Sequence, residues 1–163
     1  MSTKQFFSHA FIGLLIATFF TSCNDCMEGN GKMATRTATF SEVTAVKLSL
    51  SADVKLVNDS SGKVKIEGES NLIEAIVIEQ NGNKLTISSD HCFSSNKPIT
   101  ITIPMKTVSD LQINGSGSIT SETQLGASDL ELDINGSGDI VIDVRATNVK
   151  SKINGSGNIV LKG

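Results

Sequence analysis

The sequence has no tryptophan and no tyrosine, and only two prolines, two histidines and three cysteines in 163 residues. Five of its seven phenylalanines (Phe6, Phe7, Phe11, Phe19 and Phe20) crowd the N-terminus, which leaves Phe40 and Phe93 for the rest. A chain so poor in aromatics lacks the stacking platforms that hold single-stranded nucleic acid. Its net charge of −3 supplies no basic stripe either. No nucleic-acid partner is therefore expected, and sugar recognition on aromatic platforms is equally disfavoured. Outside the N-terminal segment His91 is the only imidazole. Neither a catalytic site, nor a metal, nor a cofactor is expected.

Long apolar runs are also missing. The longest, Ala10 to Phe20 (AFIGLLIATFF), has eleven residues, against about 20 for a spanning helix. It fits the apolar core of a secretory signal. Lys4 is the only charge before Thr21-Ser22-Cys23, so removal of residues 1–22 takes the net charge to −4. Small residues followed by cysteine resemble a lipobox, in which the thiol is acylated and the signal is cut just before it. Phe20 stands at the usual leucine position and Ser22 at the usual Gly or Ala. Residues 1–22 are thus read as a lipoprotein signal peptide and Cys23 as the lipidation site. An acylated N-terminal cysteine anchors firmly, at about 0.8 kcal/mol per buried methylene. The expected location is the cell envelope, lipid-anchored to the outer membrane on its periplasmic or surface face.

Cys26 and Cys92 then remain. A disulfide is chemically permitted outside the cytoplasm, but sequence does not show whether the two Cα atoms come within reach, so the pairing stays open. Residues 23–34 combine the anchor with Asn, Asp and Gly and no apolar period, and are expected to form a flexible tether.

From Thr35 onward short alternating segments are separated by turn residues, which predicts strands. Val43–Leu50, Val54–Val57, Val64–Ile66 and Ile99–Ile103 are examples. Asn71–Glu74 reads as a brief helical turn. Ile76-Val77-Ile78 and Leu85-Thr86-Ile87 flank Asn81-Gly82-Asn83, which predicts a hairpin with a type I′ turn.

The strongest pattern is a repeat. Ile-Asn-Gly-Ser-Gly-x-Ile occurs at 113–119, 134–140 and 153–159, with spacings of 21 and 19 residues. A period of about 20 is one supersecondary unit stacked on the next. The turn residues are Asn114, Gly115, Ser116, Gly117; Asn135, Gly136, Ser137, Gly138; and Asn154, Gly155, Ser156, Gly157. Stacking predicts an aliphatic ladder of Ile113, Ile134 and Ile153, a second of Ile119, Ile140 and Ile159, and a column of Asn114, Asn135 and Asn154 sharing amide hydrogen bonds. Leu48 to Leu56 reads as a degenerate earlier copy of 132–142, with two residues deleted at its turn. The expected fold is all-β: a right-handed parallel β-helix or β-roll-like stack over 35–163, more irregular in its N-terminal half.

The repeated Gly-Ser-Gly-x-Ile turns, with Phe40-Ser-Glu-Val-Thr-Ala-Val and Gly68-Glu-Ser-Asn-Leu-Ile, resemble the head GIN domain family, common in Bacteroidetes and labelled as autotransporter adhesins. The resemblance covers about residues 36–163. It implies a right-handed β-helical or β-roll domain, secreted or lipid-anchored, without an established catalytic site. Members usually add turns after a third repeat, whereas this sequence stops at Gly163.

Chemistry at the turns is disfavoured. Gly-Ser-Gly-Asp139 resembles calcium β-roll turns, but Ser118 and Asn158 replace Asp in the other copies, and hard cations need several oxygens. A nucleophile elbow needs Gly-x-Ser-x-Gly and a His partner. Triplication fits a structural turn better than a catalytic residue. The expected role is binding or surface structure, with an extended glycan or a protein as partner and self-association through the C-terminal strand edge. The competing readings are a polysaccharide-acting β-helix enzyme and a periplasmic scaffold or sensor.

Overall fold

The computed structural model describes residues 26–163; the signal segment and Cys23 lie outside the described residues. Among the described residues fourteen strands and one short helix form a mostly β structure. Strands β1 (Met27–Glu28) and β8 (Phe93–Ser94) make a two-stranded parallel pair. The remaining strands make one mixed, strongly curled sheet. They are β2 (Met33–Thr39), β3 (Ala45–Leu48), β4 (Asp53–Val57), β5 (Lys63–Glu69), β6 (Val77–Asn81), β7 (Lys84–Ser88), β9 (Thr100–Pro104), β10 (Asp110–Gly115), β11 (Ser118–Ser121), β12 (Leu125–Gly136), β13 (Asp139–Gly155) and β14 (Asn158–Lys162). Helix α1 covers Ser70–Glu74, where a helical turn is expected.

The repeats pair in parallel and in phase. Ile113 lies beside Ile134, and Ile134 beside Ile153. Ile119 lies beside Ile140, and Ile140 beside Ile159. The ladders continue into the unrepeated half: Ile113 pairs with Leu48 and Leu48 with Ile87, while Ile119 pairs with Val54 and Val54 with Ile101. Ile87, Leu48, Ile113, Ile134, Ile101, Val54, Ile119 and Ile140 are all fully buried in one cluster. Each contributes roughly 1.5–3 kcal/mol of transfer free energy, and β-branched side chains suit the pleated surface.

Four expectations are corrected. The expected parallel β-helical or β-roll-like stack forms instead as part of a mixed, strongly curled sheet. The strands β2/β5, β5/β9 and β6/β7 pair antiparallel, β6 and β7 because a two-residue loop joins them, while β3/β7 and β4/β9 in the same half stay parallel. Ile153 does not join the core; it is 43% exposed, since among the described residues no strand pairs with this half of β13 on the side away from β12. The earlier copy needs no deletion: Leu48 and Val54 stand in register with Ile113 and Ile119, with the same six-residue separation. Finally, the hairpin loop is Gly82-Asn83, with Gly82 alone at positive φ (59°). A positive φ at the first central position only is the requirement of type II′, not I′.

The tether expectation also changes within the described residues. Residues 26–34 do not run free. Cys26 is disulfide-bonded to Cys92, with a Cα–Cα distance of 4.7 Å. Met27 and Gly29 N–H donate to the Cys92 and Ser94 carbonyls, both at 2.9 Å, and Met33 already belongs to β2.

Candidate functional site: stacked corners and a polar strand face

The three corners lie directly on one another. Gly115, Gly136 and Gly155 have φ of 132°, 137° and 142°, values that side chains rarely adopt. Space imposes a second demand. A Cβ on Gly136 would lie 2.3 Å from the Gly115 carbonyl oxygen, whereas a Cβ on Gly115 would meet nothing within 4 Å. The glycines thus serve both the turn and the close stacking of backbone on backbone.

The corner asparagines form a chain of amide bonds. Asn135 Nδ2 donates to Asn114 Oδ1 at 3.2 Å, and Asn154 Nδ2 donates to Asn135 Oδ1 at 2.8 Å. Ser116, Ser137 and Ser156 project outward and are exposed. Asp139 is engaged by its neighbour: Asn158 N–H and Nδ2 both donate to its Oδ1, at 2.9 and 2.8 Å. All twelve turn residues are therefore brought together as a stacked column, and among the described residues no acid, base and nucleophile converge on them.

A broader feature lies on the outer side of β2, β5, β9, β4, β11, β13 and β14. The register places Thr35, Glu67, Thr100, Asp53, Ser118, Asp139 and Asn158 in one row across seven strands. The parallel row is Thr37, Lys65, Thr102, Lys55, Thr120, Val141 and Val160. All are exposed or half-buried. Six interstrand steps of about 4.8 Å give a band about 29 Å long along the sheet. Its side chains are mostly polar, short ones (Thr, Ser, Asp, Asn) interrupted by Glu67, Lys65 and Lys55, and it has no aromatic. Sequence reasoning missed this face, although the signal was present in the polar positions of the alternating strands.

Charge is paired on both halves of the sheet: Lys65 Nζ meets Glu67 Oε1 at 2.8 Å within the polar face, and two further pairs lie on the other half. Lys150 Nζ donates to Glu131 Oε1 at 2.9 Å. That hydrogen bond, and then the ammonium charge, lower the Glu131 pKa and raise that of Lys150. Asp59 is lowered chiefly by hydrogen bonds from Ser61; it lines a groove of about 390 Å³ with Phe40, Met105 and Lys106.

A clasp surrounds Glu69, the only buried charged or polar residue among those described. Its carboxylate accepts from the Ser95 hydroxyl and from the Gly31 N–H. The Ser95 bond is the main cause of its lowered pKa, opposed by burial and aided by the Gly31 amide and the Lys97 charge. Lys97 Nζ donates to the Gly31 carbonyl at 2.7 Å, and Asn71 Nδ2 to the Glu28 carbonyl at 2.8 Å. Nothing in the sequence marked Glu69 out from the other carboxylates.

Cys92 is held in the disulfide, so the adjacent His91 has no thiolate to activate. Among the described residues no three His, Cys, Asp or Glu side chains are grouped so as to hold a metal. No helix among them is long and apolar enough to cross a membrane.

The fold and its corners define a class: a β-domain assembled from short tandem repeats that stack in register. Within that class, the chain belongs to the family described as "Putative auto-transporter adhesin, head GIN domain", whose profile matches residues 42–163. No curated protein matches it. Solved structures share the fold. A putative adhesin from Bacteroides fragilis superposes with a TM-score of 0.71 at 21% identity, covering 82% of this chain and 63% of that one. A putative lipid binding protein from Parabacteroides distasonis gives 0.72 at 22%, covering 83% and 60%. A putative adhesin from the same organism gives 0.63 at 17%, covering 85% and 68%. The chain thus spans about three fifths of the length of the first two. At these identities the likeness is one of fold.

Proposed function

We propose that this chain is a non-catalytic binding module of the cell envelope, lipid-anchored through Cys23, which engages an extended glycan or protein along the seven-strand polar face. In this reading the three repeats wind as a short right-handed β-helical stack that keeps the face rigid. The observation that carries the proposal is the pair of seven-strand rows from Thr35 to Asn158 and from Thr37 to Val160. Such a surface offers regularly spaced donors and acceptors to a partner that repeats along its length. The adhesin label of the family supports a binding role.

The test is binding of residues 26–163 to a panel of envelope and host glycans, peptidoglycan and matrix proteins, beside a Thr102→Glu/Thr120→Glu variant that charges the centre of the face. Saturable binding, weakened at least tenfold in the variant, is expected. Binding that the variant leaves unchanged would remove the face from the argument, and hydrolytic or eliminative cleavage of any glycan would replace a binding module with an enzyme. Protease shaving of intact cells, with a periplasmic control, assigns the face of the envelope.

A second reading concerns self-association. Val149, Ile153, Val160 and Leu161 are 40–46% exposed on the last strands, and an unpaired edge is a template for another strand. Pairing of two copies through this edge predicts a concentration-dependent sedimentation coefficient. A single monomeric species from micromolar to millimolar protein would eliminate it.

A further inference from the structure

We infer that the domain is seated directly against the lipid surface by the Cys26–Cys92 disulfide, with the open β13–β14 edge directed away from the bilayer. The inference rests on the anchoring of Cys23 proposed above and adds to it an orientation and a membrane-contacting surface.

Cys26 follows Cys23 by three positions, and an extended chain covers at most about 3.6 Å per residue, so the lipid-bearing residue lies within about 11 Å of Cys26. From Cys26 onward the backbone has no slack. The disulfide, the β1–β8 pair, the Glu69–Gly31 contact and the Ser70 N–H bond to the Lys32 carbonyl at 2.8 Å tie it to the domain. A leash that short, ending on a fixed point, leaves room for little beyond a headgroup layer between bilayer and domain.

The position of that fixed point sets the orientation. Between the core residues of the repeats the corner is five residues long, as in Asn114–Ser118. In the layer formed by β7 and β9, however, thirteen residues separate Ile87 from Ile101. This enlarged corner carries β8 and Cys92. Along the sheet the order from that layer is β9, β4, β11, β13, β14. The exposed edge is therefore four strands away, about 19 Å at about 4.8 Å per step. The surface facing the lipid comprises Cys26, Asn30, His91 and Asn96, all exposed. The partner is the polar headgroup layer, held in place by the acyl chains and not by charge, since Glu28, Glu69 and Asp90 around this corner outnumber Lys32 and Lys97.

The absence of tryptophan and tyrosine makes the test direct, because one introduced tryptophan is the sole donor. His91→Trp and Thr147→Trp are prepared as full-length acylated protein and reconstituted in phosphatidylethanolamine/phosphatidylglycerol vesicles containing dansyl headgroup lipid. Mass spectrometry first establishes the acyl mass on Cys23. Energy transfer is expected to be several-fold stronger from position 91 than from 147. A 20-residue Gly-Ser insertion between Asp25 and Cys26 should abolish most of that difference. Equal transfer from the two sites in acylated protein would overturn the seating and leave the anchoring intact. Absence of the acyl mass would overturn both, and identifies the anchoring as the step that failed.

Discussion

Lys84 Nζ and Asp110 Oδ2 meet at 2.8 Å although their strands are not neighbours. β3 lies between β7 and β10, and the register puts Ala45 opposite both partners. The lysine stem passes over the small alanine, which leaves Ala45 only 7% exposed. A larger residue at 45 would separate the pair without touching either charge. Both partners are about one third exposed, and pairs of this kind contribute about 0.2–1 kcal/mol. Lys84→Met and Ala45→Leu are therefore each expected to lower stability by less than about 1 kcal/mol in urea unfolding. Methionine keeps an apolar stem over Ala45 and removes only the charge, so a loss several times larger in Lys84→Met would mean that the ion pair contributes far more than a half-exposed pair ordinarily does.

The corners offer a sharper contrast. Gly115→Ala strains φ alone, at a cost of about 1–3 kcal/mol. Gly136→Ala adds a clash with the Gly115 carbonyl, a backbone group that cannot swing aside. Its loss should exceed that of Gly115→Ala by at least about 1 kcal/mol, because overpacking against a fixed neighbour typically costs 1–3. Equal losses would show that adjacent repeats are not stacked this closely.

This pair also shows what could be read beforehand. Phase was legible, because Ile-Asn-Gly-Ser-Gly-x-Ile at fixed spacing leaves one in-register way to pile up, and the ladders through Ile113 and Ile119 follow from it. Closure was not legible. Whether β5 and β2 turn back antiparallel on β9 depends on loops such as Asn58–Gly62, whose residues suit many paths. The extent of burial was misread at Ile153 for a different reason: identical residues sit in different surroundings at the end of a stack. The clasp was invisible because Glu69, Gly31 and Ser95 come from three separate segments that only the folded chain brings together.

Asn135 is the middle link of the amide column, donating to Asn114 and accepting from Asn154. Asn135→Ala breaks two hydrogen bonds and Asn154→Ala one. At a net 0.5–1.5 kcal/mol per bond, the first should cost about 1–3 kcal/mol and the second about half as much. Equal costs at the two positions, measured by equilibrium denaturation, would mean that the asparagines act singly and not as a column.

The Glu69 carboxyl is held below the ordinary glutamate range, first by the Ser95 hydroxyl. In acid the unfolded chain therefore takes up the proton before the folded one does. The stability due to this group is present above the ordinary glutamate pKa, near 4.3, and is lost as the pH falls through the lowered folded value. Glu69→Gln should flatten the acid limb of the stability profile and leave the slope above pH 6 unchanged. An acid limb identical to that of the native chain would place the acid-sensitive group elsewhere.

Reduction of Cys26–Cys92 should act locally before it acts globally. The bridge spans 66 residues of sequence, and loop-closure entropy for that length is about 4 kcal/mol, an upper value where other contacts already order the ends. Here they do: β2 stays paired with β5 over Met33–Thr39, and the Arg36 guanidinium donates to the Ile76 carbonyl at 2.8 Å. Only β1 and the residues up to Lys32 depend on the bridge and the Glu69 clasp. Hydrogen exchange after reduction should therefore accelerate at Met27 and Gly29, whose amides bond to Cys92 and Ser94, while Ile66 and Ile113 keep their protection. The freed segment would lengthen the path from Cys23 to the first fixed strand from three residues to about ten, roughly 33–36 Å when extended, enough to lift the domain from its seat. Loss of protection throughout the sheet on reduction would show instead that the bridge holds the whole fold together.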